Sequence, residues 1–147
     1  MLLSLENVKT YFFTRRGVLK AVDDVSMGID KGEFVSVVGE SGCGKTTLAY
    51  SIMRLVDYPG KIVGGKIIFS GKNILELSED KMRELRGREI GMIFQDPMTS
   101  LDPLEKIGDQ IAETVMEHMN VTKKEALQIA GEMLEKVGLP ADRINYY

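Results

Sequence analysis

The stretch from Val37 to Met53, VVGESGCGKTTLAYSIM, constrains this chain more than any other part of its sequence. It fits the pattern G-x-x-x-x-G-K-[ST] at Gly39, Gly44, Lys45 and Thr46. An apolar, β-branched run precedes the pattern, and apolar residues at helical spacing follow it. A strand-to-helix loop of this composition predicts a site for phosphate groups. The alternative is a glycine-rich turn that binds no ligand.

The glycines have a physical purpose in such a loop. Phosphate oxygens must meet a row of backbone N–H groups at close range, and glycine permits both the approach and the unusual dihedral angles. The first N–H groups of the following helix have no intrahelical acceptor, and they carry the positive end of the helix dipole. We therefore expect the phosphates to contact the whole loop: Gly39, Glu40, Ser41, Gly42, Cys43, Gly44, Lys45, Thr46 and Thr47.

Four side chains of the loop have distinct expected roles. Lys45 supplies a positive charge to the β- and γ-phosphates of a nucleoside triphosphate. Thr46 offers its hydroxyl to Mg²⁺, and Thr47 is placed to reach the α-phosphate. Cys43 occupies a position that the pattern leaves free, where it serves as a small filler or as a reactive thiol. We expect it to be alkylated readily at this helix N-terminus and to be protected by bound MgATP.

Composition narrows the class of protein. The sequence has 147 residues, of which 44% are hydrophobic and 28% charged, which is typical of one globular domain or a large part of one. A net charge of −3 does not favour unspecific binding to nucleic acid. A single cysteine excludes an internal disulfide and suits a reducing compartment. Since we find neither a membrane-spanning run nor a signal peptide, we expect a cytosolic chain that reaches membranes only through a partner.

Hydrophobic periodicity predicts strands and helices along the rest of the chain. The predicted strands are Leu2–Phe13, a strand pair over Val18–Ile29, Phe34–Val38 (buried on both faces), Lys66–Ile74 and Ile90–Gln95, the last closed by Asp96-Pro97. The predicted helices are Lys45–Val56, Glu79–Gly87 capped by Ser78, Leu104–Met119, and Thr122–Gly138 with a capping box of Thr122 and Glu125. Strands dominate the first two-thirds, and helices dominate the last third.

Three segments together resemble the nucleotide-binding domain of ABC transporters, in the oligopeptide/dipeptide importer subfamily. They are KGEFVSVVGESGCGKTT, GGKIIFSGKNILELSEDKMRELRG, and IGMIFQDPMTSLDP followed by IGDQIAE. The resemblance runs from about Leu5 to Tyr147. It implies an incomplete α/β P-loop NTPase fold of the ABC ATPase type. Residues of about 1–33 and 60–76 would form an antiparallel β subdomain, about 34–59 and 77–97 a parallel-sheet P-loop core, and about 98–147 part of a helical subdomain.

The resemblance also implies roles for residues outside the loop. Gln95 corresponds to the Q-loop glutamine, which contacts Mg²⁺ or the attacking water, so Lys45 and Gln95 are the expected catalytic residues. The family stacks adenine on an aromatic residue at the end of the first strand. Tyr11, Phe12 and Phe13 stand in a row there, and we favour Tyr11 or Phe12. The alternative is that at least two of the three belong to the core.

The implied function is that of an ATP-binding subunit, an ATPase in the full-length protein, that couples ATP binding and hydrolysis to solute import. Its cofactors would be ATP and Mg²⁺. Its partners would be the transmembrane subunits of a permease, a second identical or homologous ATPase subunit and, indirectly, an extracytoplasmic solute-binding protein, but no nucleic acid. It would lie peripherally on the cytoplasmic side of the membrane. The cargo, whether a peptide, a nickel chelate or an oligosaccharide, is left open.

Four elements of the family's hydrolysis machinery do not occur in the 147 residues: the LSGGQ signature, the Walker B strand, the D-loop and the switch histidine. We therefore expect a piece of a longer protein that by itself binds MgATP weakly and hydrolyses it no faster than background. Two alternatives are kept. One is a catalytically incompetent nucleotide-binding fragment. The other is a soluble P-loop kinase or GTPase, which would need features such as the guanine-reading N-K-x-D motif that the sequence lacks.

Overall fold

The structure of the chain, a computed structural model, describes residues 1–96 and 100–147. The expected break at Asp96-Pro97 therefore lies partly outside the described residues. The chain forms two compact units, residues 1–82 and 83–147. The finer division into three subdomains stays a prediction.

A four-stranded antiparallel sheet forms most of the first unit. Its strands are β1 (Leu3–Thr14), β2 (Gly17–Ile29), β3 (Gly60–Phe69) and β4 (Lys72–Asn73), in the order β2-β1-β3-β4. The first predicted strand is confirmed by β1. The predicted strand pair over residues 18–29 is instead one continuous strand, and β3 begins at Gly60, before the predicted start at Lys66.

The pairing of β1 with β2 is interrupted at Asn7 and Asp24. Both residues have positive φ angles, 49° and 63°, and the Asn7 amide donates to Asp24 Oδ1 over 3.2 Å. Such irregularities shift the register and increase the local twist of a sheet. A further register shift follows between Thr10 and Tyr11, and from Tyr11 onward the strands pair regularly, with Phe12 opposite Leu19.

Helix α1 (Lys45–Met53) contacts β1 and β2, and a buried pair of hydroxyl groups joins it to the sheet. Thr10 Oγ1 and Ser51 Oγ lie 2.7 Å apart, and both residues are fully buried. Ser51 Oγ also donates to the Thr47 carbonyl over 2.7 Å. Because a serine hydroxyl carries one hydrogen, Thr10 must be the donor in the pair. The helix that follows the glycine-rich loop is thus fixed to the strand that carries Phe12.

We expect Thr10→Val to reduce the free energy of unfolding by about 1–2 kcal/mol, since it removes a buried hydrogen bond at nearly constant volume. Thr14→Val is the matched control, because the Thr14 hydroxyl donates to the Gly17 carbonyl at an exposed site where water can replace it. Urea unfolding of the two variants measures the difference. Equal losses would contradict the proposed contribution of the buried pair.

Two sequence predictions were wrong at the level of secondary structure. Among the described residues, neither Phe34–Val38 nor Ile90–Gln95 forms a strand, apart from one bridge between Arg86 and Ile90. Phe34, Val38 and Ile93 are 97%, 89% and 96% exposed. A strand of a parallel sheet is stable only when neighbouring strands satisfy its backbone N–H and C=O groups. The described part of the chain provides no such ladder for these two segments.

The chain enters the second unit within α2 (Glu79–Leu85) and continues through α3 (Ile107–His118) and α4 (Lys123–Lys136) to a short 3-10 helix, Ala141–Asn145. The predicted capping box is confirmed, since Thr122 and Glu125 bond each other's backbone N–H groups at the start of α4. Helices α3 and α4 contact each other, and small buried residues predominate on them: Gly108, Ala112, Ala126, Ala130 and Gly131. Within the described ranges, no helix is long and apolar enough to cross a lipid bilayer.

Candidate nucleotide-binding site

The glycine-rich loop ends in a backbone geometry that requires glycine. Gly42 has a φ of 79°, and Gly44, the N-cap of α1, has a φ of 97°. Residues that carry a side chain rarely adopt this left-handed backbone conformation. At Gly44 a Cβ atom would in addition lie 2.1 Å from the carbonyl oxygen of Ala21 in β2. The loop therefore packs directly against the β2 backbone, at a distance that only glycine allows.

The Lys45 ammonium group folds back onto the loop that precedes it. Its Nζ donates to the carbonyl oxygens of Gly39 over 2.8 Å and Glu40 over 2.6 Å, and lies 3.5 Å from Cys43 Sγ. The Cys43 sulfur also contacts Gly39, where a Cβ would approach it to 2.8 Å. The positive charge is thus already held at the loop, at the N-terminal end of a helix whose first N–H groups have no intrahelical acceptor. This combination favours a polyanion.

A cavity of about 310 Å³ joins the loop to the hairpin of β1 and β2. One wall is apolar and comes from Phe12, Leu19 and Ala21. The other wall comes from the loop and the first turn of α1: Gly42, Gly44, Lys45, Thr46 and Thr47. An apolar wall with an aromatic ring beside an anion-binding loop matches the two chemical halves of a nucleotide, the base and the phosphates.

The two favoured aromatic residues of β1 have different environments. Phe12 lines the cavity, whereas the Tyr11 hydroxyl donates to Asp23 Oδ1 over 2.5 Å. Lys20 also bonds Asp23 and lies 5.3 Å from the centre of the Tyr11 ring. The hydrogen bond to the carboxylate raises the pKa of Tyr11 and lowers that of Asp23. Tyr11 is therefore held by Asp23 and Lys20, and Phe12 is the better candidate for stacking on the base of a nucleotide.

Several other predicted site residues are not among those that line this cavity. Glu40, Ser41 and Cys43 are exposed in the loop. Gln95 is exposed in the second unit, and its expected role stays a prediction. Sequence reasoning missed Leu19 and Ala21. The sequence shows that these two residues are two positions apart on a predicted strand. Only the structure brings them to the loop, through the pairing of Leu19 with Phe12 and the contact of the Ala21 carbonyl with Gly44.

Alanine substitutions at Gly42 and Gly44, which both have left-handed backbone conformations, distinguish the cost of backbone strain from the cost of steric overlap. We expect Gly42→Ala to reduce the free energy of unfolding by about 1–2 kcal/mol, the usual cost of a left-handed side chain, because its Cβ meets nothing within 4 Å. Gly44→Ala should lose about 1–3 kcal/mol more, since the loop must move away from Ala21. Urea unfolding compares the two. A Gly44→Ala loss no larger than that of Gly42→Ala would contradict the close packing.

Comparison with known proteins agrees with this geometry. The family profile described as ABC transporter matches residues 22–146, which is most of the chain. The chain belongs to the ABC transporter family. The match includes the glycine-rich loop, α1 and the segment that carries Gln95.

Curated relatives cover the chain almost completely. It is 48% identical over 150 residues to the probable peptide ABC transporter ATP-binding protein y4tR of Sinorhizobium fredii, covering 100% of this chain and 45% of the relative. It is 44% identical over 149 residues to the oligopeptide transport ATP-binding protein OppD of Bacillus subtilis, covering 99% of this chain and 42% of OppD. The chain thus spans less than half the length of these relatives.

A solved structure confirms the expected fold class. The chain superposes with a TM-score of 0.85 on the ATP-binding cassette MJ0796, in a dimeric, post-hydrolysis state bound to ADP and Pi. The two share 25% sequence identity, and the match covers 98% of this chain and 60% of the cassette. The antiparallel sheet, the loop and the helices of this chain are therefore those of part of an ABC ATPase.

Proposed function

We propose that this chain is the nucleotide-binding part of an ATPase subunit that couples ATP binding and hydrolysis to the import of peptides through a membrane permease. The observation that carries the proposal is the cavity that the glycine-rich loop and Phe12 line together. The relatives named as peptide and oligopeptide transport ATP-binding proteins support the cargo class. The kinase and GTPase alternatives gain no support from these relatives.

The loop would hold the triphosphate. Backbone N–H groups at the start of α1 would bond phosphate oxygens, and Lys45 would neutralise charge on the β- and γ-phosphates. Thr46 lies in the first helical turn and lines the cavity, so its hydroxyl suits Mg²⁺, a cation that prefers oxygen ligands. Gln95 would be the second ligand through its amide oxygen. Bound Mg²⁺ would supply further charge neutralisation, and catalysis would rest mainly on positioning and electrostatic stabilisation.

The whole protein would work as an assembly. Its partners would be a second identical or homologous ATPase subunit, the transmembrane subunits of the permease and, indirectly, an extracytoplasmic solute-binding protein. The dimeric state of the MJ0796 cassette supports the first of these partners. The subunit would lie peripherally on the cytoplasmic side of the membrane.

Replacing Lys45 tests the proposed triphosphate site. In the full gene product that carries this chain, we expect Lys45→Ala to weaken MgATP binding at least tenfold, because a charge-assisted hydrogen bond contributes about 1.5–3 kcal/mol. Uptake of labelled di- and tripeptides by cells should be lost with it. Lys72→Ala, at an exposed position of β4, is the control and should bind ATP normally. Unchanged binding and uptake in Lys45→Ala would overturn the proposed function.

Replacing Phe12 tests the proposed base site. We expect Phe12→Ala to weaken ATP binding about tenfold, since stacking of a base on an aromatic ring contributes about 1–3 kcal/mol. Binding of inorganic triphosphate should not change, because the loop is untouched. Phe13→Ala is the control on the neighbouring, 45% exposed ring and should leave both affinities unchanged. A larger effect in Phe13→Ala would assign the base to Phe13 instead. Titration calorimetry measures all four affinities.

A further inference from the structure

Strand β2 contains a residue, Ala21, that has no counterpart on β1 at the edge of the cavity. Thr10 lies opposite Val22, and the next residue of β1, Tyr11, lies opposite Lys20, so the register passes over Ala21. Such an extra residue forms a β-bulge, which bends its strand and changes the direction of the groups beside it. Ala21 itself lines the cavity of the proposed nucleotide site.

The bulge determines which side chains of β2 face the cavity. In a regular strand, residues three positions apart lie on opposite faces, so Val22 and Leu19 would point apart. Their partners on β1, Thr10 and Phe12, are only two positions apart and share a face. Because residues that lie opposite each other in a sheet share a face, Leu19 faces the same side as the buried Val22. Leu19 thus lines the cavity, and Lys20 lies on the other face.

The carbonyl group of the same residue meets the end of the glycine-rich loop. A Cβ atom at Gly44 would lie 2.1 Å from the Ala21 carbonyl oxygen and 4.0 Å from Cγ2 of Val22. On the opposite strand, Thr10, the last residue before the register shift, bonds Ser51 of α1 over 2.7 Å. The bulge therefore contacts the loop at the point where β1 and β2 also hold the helix that follows it.

We propose that Ala21 is a positioning residue for nucleotide binding, whose bulge holds the apolar wall and the glycine-rich loop at the separation that lets one nucleoside triphosphate contact both. This inference rests on the proposed function and adds to it the residue that joins the two halves of the site. A ligand gains affinity from a second contact when the protein already holds both contacts in place. The bulge acts through the main chain of Ala21, since the carbonyl group meets the loop.

The test compares the binding of MgATP and of inorganic triphosphate in the full gene product that carries this chain. Deletion of Ala21 removes the extra residue, so β2 pairs with β1 without the last register shift. We expect the ATP affinity to fall about tenfold, the contribution of a stacked base, while the affinity for triphosphate is retained. Ala21→Gly keeps the extra residue and its carbonyl group, so it should retain both affinities. Titration calorimetry measures them.

Deletion of Asp24 is the matched control. It also removes a residue at a register shift of β2, where Asp23 and Asp24 together lie opposite Lys9. Asp24 is not among the residues that line the cavity. This deletion should lower the free energy of unfolding, because Asp24 accepts a hydrogen bond from Asn7, but it should leave the preference for ATP over triphosphate at the parent value.

If the deletion of Ala21 prevents folding, Gly44→Ala tests the same contact from the side of the loop. Its Cβ atom pushes the loop away from the Ala21 carbonyl, so the preference for ATP over triphosphate should fall. Gly42→Ala is the control, because Gly42 also has a positive φ, 79°, but its Cβ atom would meet nothing within 4 Å. Gly42→Ala should change both affinities by the same factor and so keep the preference.

A parental preference for ATP in the Ala21 deletion, or in Gly44→Ala where the deletion does not fold, would overturn this inference alone. An equal loss of preference in Ala21→Gly would also overturn it, because the methyl group would then be responsible. The same holds for an equal loss on deletion of Asp24, which would show a general effect of shortening β2. A parent that binds neither ATP nor triphosphate would overturn the proposed function as well.

Discussion

The contact between Gly44 and the Ala21 carbonyl is the constraint on which the rest of the first unit depends. It lets the end of the glycine-rich loop approach the β2 backbone more closely than any side chain would permit. The loop therefore packs against the hairpin of β1 and β2 instead of extending into solvent. Because Phe12 and Leu19 pair across that hairpin, an apolar wall and an anion-binding loop line the same cavity. The chemical character of the site follows from this one close approach.

The buried hydroxyl pair secures the same arrangement from the other end of α1. Thr10 lies two residues before Phe12 on β1, and Ser51 lies in the last turn of α1. Gly44 and Ser51 thus fix the beginning and the end of the helix against the sheet. A helix of nine residues is too short to be stable in isolation, so these tertiary contacts also determine whether the first turn, with its phosphate-binding N–H groups, forms at all.

The second unit uses its first long helix in a similar way. The start of α3 holds a preceding turn through the Gln110 side chain and a following segment through the Ile107 N–H and the Gly108 backbone. In both units, glycine permits a close backbone approach at a helix N-terminus, and a polar side chain of the helix bonds a neighbouring segment.

The sequence by itself determined the glycine-rich loop, the capping box at Thr122, strand β1, the positions of the long helices and the family, since each depends on local chemistry or on a specific run of residues. It did not decide whether Tyr11 or Phe12 faces the loop, because that depends on the register shifts of the β1–β2 pairing, the last of them between Thr10 and Tyr11, and on the Tyr11–Asp23 bond. It also predicted strands at residues 34–38 and 90–95 that the structure does not form. An apolar run becomes a strand only beside a partner, and pairing over long sequence separations is a property of the tertiary structure alone.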